Sequence, residues 1–291
     1  MSEVIASPST RRKALEKGVD LDVRARELGR ITLGPEDLGA SAPVANGGDI
    51  SFWDVDHSAY GPVTEDPMSR FAQVAARNLG AANSLIPQVT HHDRADMSAI
   101  DGLRKAWRVE AQARGIKLTA LAFHVMALAR CLRDSPRFNA SLSADGKTLV
   151  LKDYVHIGIA VDTPHGLMVP VIRNADQSGL WEISAEIADL AARAQARKIA
   201  PDEMGGASMT ISNLGGIGGT AFTPIVNPPE LAILGITRTE TVTLWDGNTP
   251  RPIPMVPLDL SYDHRVLNGA DAARFLARYA RLIASPQHMV L

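Results

Sequence analysis

The stretch SYDHRVLNGADAARF, residues 261–275, decides the fold. A strand-like run, MVPLDLSY (255–262), leads directly into Asp263-His264-Arg265. Asn268-Gly269 follows and reads as a tight turn. A helix is then expected from about Asp271, with Phe275, Tyr279 and Leu282 on one side. A histidine at such a strand end is held rigidly and still faces a cleft. Its ordinary pKa lies near neutrality, so it suits a general base. The same pattern fits a satisfied structural histidine, and pattern alone leaves both readings open.

Working outward, the second informative stretch is TISNLGGIGGTAFTPIVNPPE (210–230). Ser212 and Asn213 sit where a strand runs into a glycine-rich turn. A hydroxyl placed there can donate a hydrogen bond to a developing oxyanion. An ordinary turn serine is the competing reading. Gly215, Gly216, Gly218 and Gly219 do not form a phosphate loop, because no Lys-Ser/Thr pair follows and the spacing fits no dinucleotide fingerprint.

Around these stretches helices and strands alternate. Helices are expected at 67–79, opened by Pro67, at 98–115 between Ser98 and Gly115, at 119–134, and at 181–198. The helix at 119–134 is apolar nearly all round, which implies burial. Strands are expected at 151–163, 166–173, 207–215, 230–238 and 241–245. The pattern is α/β: a mixed sheet flanked by helices.

Other histidines offer less. His91, His92 and Asp93 are adjacent, and neighbours in a strand point to opposite faces, so they make a poor chelate; a solvated strand or loop is expected, and no metal site. His124 and Cys131 read as core residues of the apolar helix. His156 falls in a strand and His165 in a turn, neither with an evident partner.

The chain has 291 residues and a net charge of -2, so no bulk field favours nucleic acid or a membrane surface. Its single cysteine, Cys131, rules out an internal disulfide and suits a reducing compartment. No apolar run is long enough to span a membrane, and residues 1–18 lack the apolar core of a secretory signal. A cytoplasmic protein is expected. After a tail at 1–5, residues 6–40 read as a small helical unit with Ser9 capping a helix at 10–17 and another short helix from Pro35. A Pro/Gly-rich linker and arm follow at 41–66, then the large domain at 67–291.

These stretches together resemble the dihydrolipoamide acyltransferases, the core subunits of 2-oxoacid dehydrogenase complexes. The carriers are PMSR, IPQVT, YVHIGIAVDTPHGLMVPVIRNAD, MTISNLGGIGGTAFTPIVNPPELAILGI and SYDHRVLNGADAARFL, in family order from about Pro67 to Leu291. The last contains the DHRxxDG signature, with Asn268 in place of the usual Asp. Residues 6–37 resemble the family's peripheral subunit-binding domain. The resemblance implies a chloramphenicol-acetyltransferase-like fold assembled as a homotrimer, and a larger cubic or dodecahedral core built through C-terminal contacts such as HMVL (288–291). It implies active sites between subunits, coenzyme A or acetyl-CoA as one substrate, and lipoamide supplied by a lipoyl domain as the other. By the same resemblance His264 matches the general base and Ser212 the hydroxyl that stabilises the tetrahedral intermediate, the two contributed by different subunits. Asn268, which keeps an acceptor but loses the charge of the usual Asp, is expected in the catalytic site, either holding loop geometry or hydrogen-bonding the intermediate. Arg11 and Arg12 match basic residues that dock the 2-oxoacid decarboxylase or the dihydrolipoamide dehydrogenase.

The sequence departs from the family in places. It contains no Asp-Lys pair of the kind that carries lipoate, so the lipoyl domain is expected on another chain or on a part not included in this sequence. Leu15 occupies a further basic docking position, and Gln88 replaces the usual His of the IPHVT-like segment. DHRVLNGADAARF and GGTAFTPIVN look like acetyl-transferring members, whereas succinyl-transferring members tend toward DHRLIDGRE. The competing readings are a succinyl or branched-chain acyltransferase, an antibiotic acetyltransferase, which would carry a His-His signature, and a non-catalytic core subunit, which would have lost His264 or Ser212.

Overall fold

The computed structural model describes residues 4–16, 19–28, 31–38, 55–164 and 166–290. The chain divides into two compact units, Met1–Asp66 and Pro67–Leu291. Gly18, His165, Leu291 and most of the expected linker lie outside the described residues.

In the first unit, strand β1 (Ile5–Ala6) leads into helix α1 (Pro8–Glu16). Proline at the first helical position loses no hydrogen bond there. The cap is Ser7 and not Ser9: the Ser7 hydroxyl accepts the Thr10 N–H at 3.1 Å. Helix α2 (Leu21–Leu28), which the sequence reading missed, is capped by Asp20, whose carboxylate accepts the N–H groups of Asp22 and Val23. Its polar composition hid it, because a unit this small buries only one narrow stripe. Strand β2 (Thr32–Leu33) pairs in parallel with β1, and a 3-10 turn, Pro35–Leu38, stands where a helix from Pro35 was expected. Val4, Ala25 and Leu33 form the small core. Arg11 donates from its guanidinium to the carbonyls of Val4 at 2.7 Å and Ala6 at 3.3 Å, so it holds the first strand to α1. Arg12 is exposed.

The second unit is built on one mixed seven-stranded sheet. Its strands are β3 (Gln88–Asp96), β6 (Ile157–Ala160), β7 (Val171–Ile172), β8 (Met209–Asn213), β9 (Ala232–Ile236), β10 (Glu240–Asp246) and β11 (Thr249–Asp263). The long β11 pairs antiparallel with β10 through its first half, with β3 through its second, and with β9 on the other side. β8 lies parallel to β9 and β6 parallel to β8, and β7 closes the edge antiparallel. A separate two-stranded ribbon joins β4 (Ala140–Leu142) and β5 (Leu149–Leu151).

The two faces of this sheet differ, as the period of two in its strands requires. One face presents Met209, Ile211, Leu234, Ile236, Leu258, Leu260 and Tyr262 to a single core. Helix α6 (Ala120–Asp134) is buried within it, and helices α7 (Leu180–Gln195) and α8 (Gly269–Ala284) supply Ile183, Leu190, Phe275, Leu276 and Tyr279. The other face carries Thr90, His92, Thr210, Ser212, Asp259 and Ser261, and their pairing makes it stable: Thr90 and Ser261 hydroxyls meet at 2.8 Å and His92 Nδ1 meets Asp259 at 2.6 Å. Residues 214–230 cross this polar face. The Phe222 N–H donates to Asp259 and the Val226 N–H to the Gln88 side chain. Gly235 permits the crossing, because a Cβ there would meet the Phe222 ring at 2.7 Å.

Several expected boundaries move. The helix expected from Pro67 is α3 (Arg70–Leu85), capped by Ser69, whose hydroxyl accepts the Ala72 N–H. The helix expected over 98–115 is two, α4 (Ser98–Ala106) and α5 (Arg108–Ala113), divided at Trp107. Trp107 packs its ring 6.0 Å from that of Trp181, a tertiary contact no local signal announces. No helix among the described residues is long and apolar enough to cross a membrane.

Candidate active site

His264 follows the last residue of β11. The strand end is gripped from both sides: the Asp263 N–H donates to Leu231 O at 2.9 Å and the His264 N–H to Pro87 O at 3.1 Å. The Asp263 carboxylate is buried and receives the Arg265 guanidinium at 2.6 Å together with the Arg265 backbone N–H. That pair closes the turn, and Asp263 in turn raises the pKa of Arg265 by hydrogen bonding. The Tyr262 ring lies beneath, 5.8 Å from the imidazole. The imidazole itself is exposed, so a fixed backbone presents a reachable proton acceptor.

Asn268 corrects the expected Asn-Gly turn. It is the N-cap of α8: its Oδ1 accepts the Asp271 N–H at 3.0 Å, and Gly269 is the first helical residue. An Asn-Gly pair serves a turn or a helix start equally well, and the apolar period that follows selects the second. Cap and imidazole are therefore parts of one strand–turn–helix corner.

Ser212 is half-buried on β8, on the polar face. Among the described residues its hydroxyl has no hydrogen-bond partner within the chain. It lies opposite Gly235 of β9, which lies opposite Asp259 of β11. His264 is therefore two strands across and five residues onward, roughly 10 Å sideways and about 17 Å lengthwise. One chain does not bring Ser212 and His264 together. It presents them at opposite ends of β9.

Sequence reasoning missed what lies between them. Glu230 is 5 % exposed, two residues before the first of β9. Its Oε1 accepts the Thr210 hydroxyl at 2.9 Å, while Oε2 is buried without a partner. Burial pushes its carboxyl up to about 7. It lines a cavity of about 530 Å³ with Asn227, Leu231, Asp263, Arg265 and residues of α3. An acid after two prolines reads as a loop residue, and only the fold buries it.

His92, His124 and His156 serve the scaffold. His124 is buried against Tyr279, a 2.6 Å hydrogen bond joining them, and burial lowers its pKa to about 4. Cys131, also in the core, is raised to about 12 by burial. His91 and His92 lie on opposite faces of β3, as expected for neighbours in a strand, but that strand is paired along its length with β11. His156 Nδ1 accepts the Asn174 N–H.

A model of the 2-oxoacid dehydrogenases acyltransferase (catalytic domain) matches residues 60–291. The chain is 44% identical over 305 residues to the dihydrolipoyllysine-residue acetyltransferase component of the pyruvate dehydrogenase complex of Pseudomonas aeruginosa, covering 100% of this chain and 55% of that protein. It is similar to a solved structure of the Azotobacter vinelandii dihydrolipoamide acetyltransferase, studied for the role of a serine, a histidine and an asparagine in its catalytic mechanism. The TM-score is 0.80 at 48% identity, covering 81% of this chain and 98% of that one. A structure described as the cubic core of the pyruvate dehydrogenase multienzyme complex matches with the same TM-score of 0.80, 48% identity and coverage of 81% and 98%. The chain spans about half the length of the Pseudomonas relative, and 37% of that of the Azotobacter protein. By this match and this fold, the chain belongs to the 2-oxoacid dehydrogenase acyltransferase family, whose catalytic domain it carries.

Proposed function

We propose that the protein transfers an acyl group, acetyl in the first instance, between dihydrolipoamide and coenzyme A, at a site shared by two copies of the chain. The observation that carries this reading is the separation of Ser212 and His264 at opposite ends of β9, each poised and neither near the other. A second copy supplies what one lacks. The serine, histidine and asparagine of the Azotobacter enzyme are spaced along its chain as Ser212, His264 and Asn268 are along this one, which supports the assignment.

A thiol with its ordinary pKa is mostly protonated at neutral pH, and the thiolate is the nucleophile. His264 takes the proton as the sulfur of coenzyme A attacks the acyl-dihydrolipoyl thioester. The tetrahedral oxyanion accepts a hydrogen bond from Ser212 of the neighbouring copy. The tetrahedral intermediate collapses, the dihydrolipoyl sulfur leaves as its thiolate, and His264 returns the proton to it. No acyl-enzyme forms. Asn268 acts by fixing the corner on which His264 stands, and neither accepts nor gives a proton.

The reading extends to a homotrimer, to a larger core like the cubic one it resembles, and to a cytoplasmic complex in which a lipoyl domain delivers the acyl group. Arg12, exposed on α1, and Arg11 beside it would meet acidic groups of the decarboxylase or dihydrolipoamide dehydrogenase. The test is transfer from acetyl-CoA to free dihydrolipoamide by the purified oligomer, with succinyl- and isobutyryl-CoA in competition. Preference for acetyl supports the reading. Preference for a larger acyl group assigns another 2-oxoacid. No transfer by a folded oligomer leaves a scaffold.

A further inference from the structure

Glu230 lies between the serine and the histidine that one chain offers to different sites. Through its Oε1 it holds the hydroxyl of Thr210, which lies two residues before Ser212 on the same face of β8. Through the chain it precedes Leu231, whose carbonyl holds the N–H of Asp263, next to His264. Its own turn is closed by its N–H on Asn227 O at 3.0 Å. One residue therefore reaches the serine strand through its side chain and the histidine strand through the backbone of the residue after it. We propose that Glu230 is a positioning residue that sets the alignment of Ser212 and His264 within each chain. The inference rests on the acyl-transfer reading above.

The surroundings define the form in which it works. Lys152, half-buried before β6, is the nearby cation, but its ammonium donates to Ala207 O at 3.0 Å. Asp263 and Arg265 share the cavity and are paired with each other. Among the lining residues, α3 and the β4–β5 turn contribute no charged group. A carboxylate at this place has an unpartnered oxygen, and a carboxylic acid does not carry that charge. Burial drives the group toward the acid, against the Thr210 and Asn227 hydrogen bonds and the pull of Lys152. The Thr210 hydrogen bond favours the other form, because a carboxylate accepts it more strongly than the acid does, so ionisation above about 7 tightens the link to Thr210.

The experiment measures kcat and KM of the full-length oligomer from pH 6 to 8.5 for wild type, Glu230→Gln, Thr210→Val and Thr210→Ser. Gln keeps the acceptor for Thr210 and cannot ionise. The kcat ratio of Glu230→Gln to wild type is expected near one at pH 6 and to fall about threefold or more by pH 8.5, because the wild-type carboxylate then holds Thr210 more tightly than the amide does and alignment toward the oxyanion acts on kcat. Thr210→Val is expected to lower kcat about five- to tenfold at nearly constant KM, with Thr210→Ser restoring it. Melting gives a second readout. A raised carboxyl pKa means the folded state holds the proton between 4.5 and about 7, so wild type loses stability against Glu230→Gln as pH rises through that window. A flat kcat ratio, or Thr210→Val with wild-type kcat, overturns the proposal. A flat ratio with inactive His264→Ala removes this inference alone; an active His264→Ala removes the reading beneath it.

Discussion

The Oδ1 of Asn268 accepts the Asp271 N–H at 3.0 Å and so begins the helix that closes the His264 corner. Aspartate caps equally well and adds a favourable charge at the helix start. Asn268→Asp is therefore expected to keep its stability and substantial turnover. Asn268→Ala should lose roughly 0.5–2 kcal/mol in denaturant unfolding. A collapse of turnover in well-folded Asn268→Asp would show that the neutral amide takes part in the chemistry.

Arg11 and Arg12 separate folding from docking. Arg11 spends its guanidinium on the carbonyls of Val4 and Ala6. Replacing it with Ala should destabilise the small unit by about 1 kcal/mol as well as weaken partner binding. Arg12→Ala should weaken binding alone. Calorimetric melting beside titration with dihydrolipoamide dehydrogenase distinguishes the two; equal melting losses would contradict the division.

His124 predicts an acid limb. Its pKa falls from 6.5 to about 4 because burial disfavours the imidazolium. A folded value below the unfolded one gives stability that is whole above 6.5 and lost as pH falls through 4. The loss is on the order of 3 kcal/mol across that window. His124→Gln should flatten this limb in unfolding measured from pH 7 to 4, and an unchanged slope would assign it to other groups.

Much of this was legible in short stretches. The corner at 261–275 declared a strand, a histidine and a helix, because alternation along Leu258, Leu260 and Tyr262 and the helical spacing of Phe275 and Tyr279 are local properties. What escaped depends on distant partners. The stretch VTHHDRAD (89–96) looked like a solvated strand or loop because its polar residues find Asp259 and Ser261 across the sheet. The break at Trp107, whose ring packs against Trp181, has no Pro or Gly to mark it. Glu230 was silent because two prolines precede it and its burial is made by β8 and the cavity wall. Ser212 and His264 were both visible, and the family resemblance assigned them to different subunits; the distance between them within one chain needed the sheet register.

That separation is the central claim, and complementation tests it. Ser212→Ala alone should lower turnover about 10²–10³-fold, the cost of one oxyanion donor. His264→Ala alone should abolish most of it. The two variants are unfolded, mixed in equal amounts, reassembled and assayed. If each site takes His264 from one copy and Ser212 from the next around a closed ring, about one quarter of the sites become wild type. Turnover near a quarter of wild type is the predicted result. A mixed assembly no more active than the separate variants would place both residues in one chain's site and contradict the account.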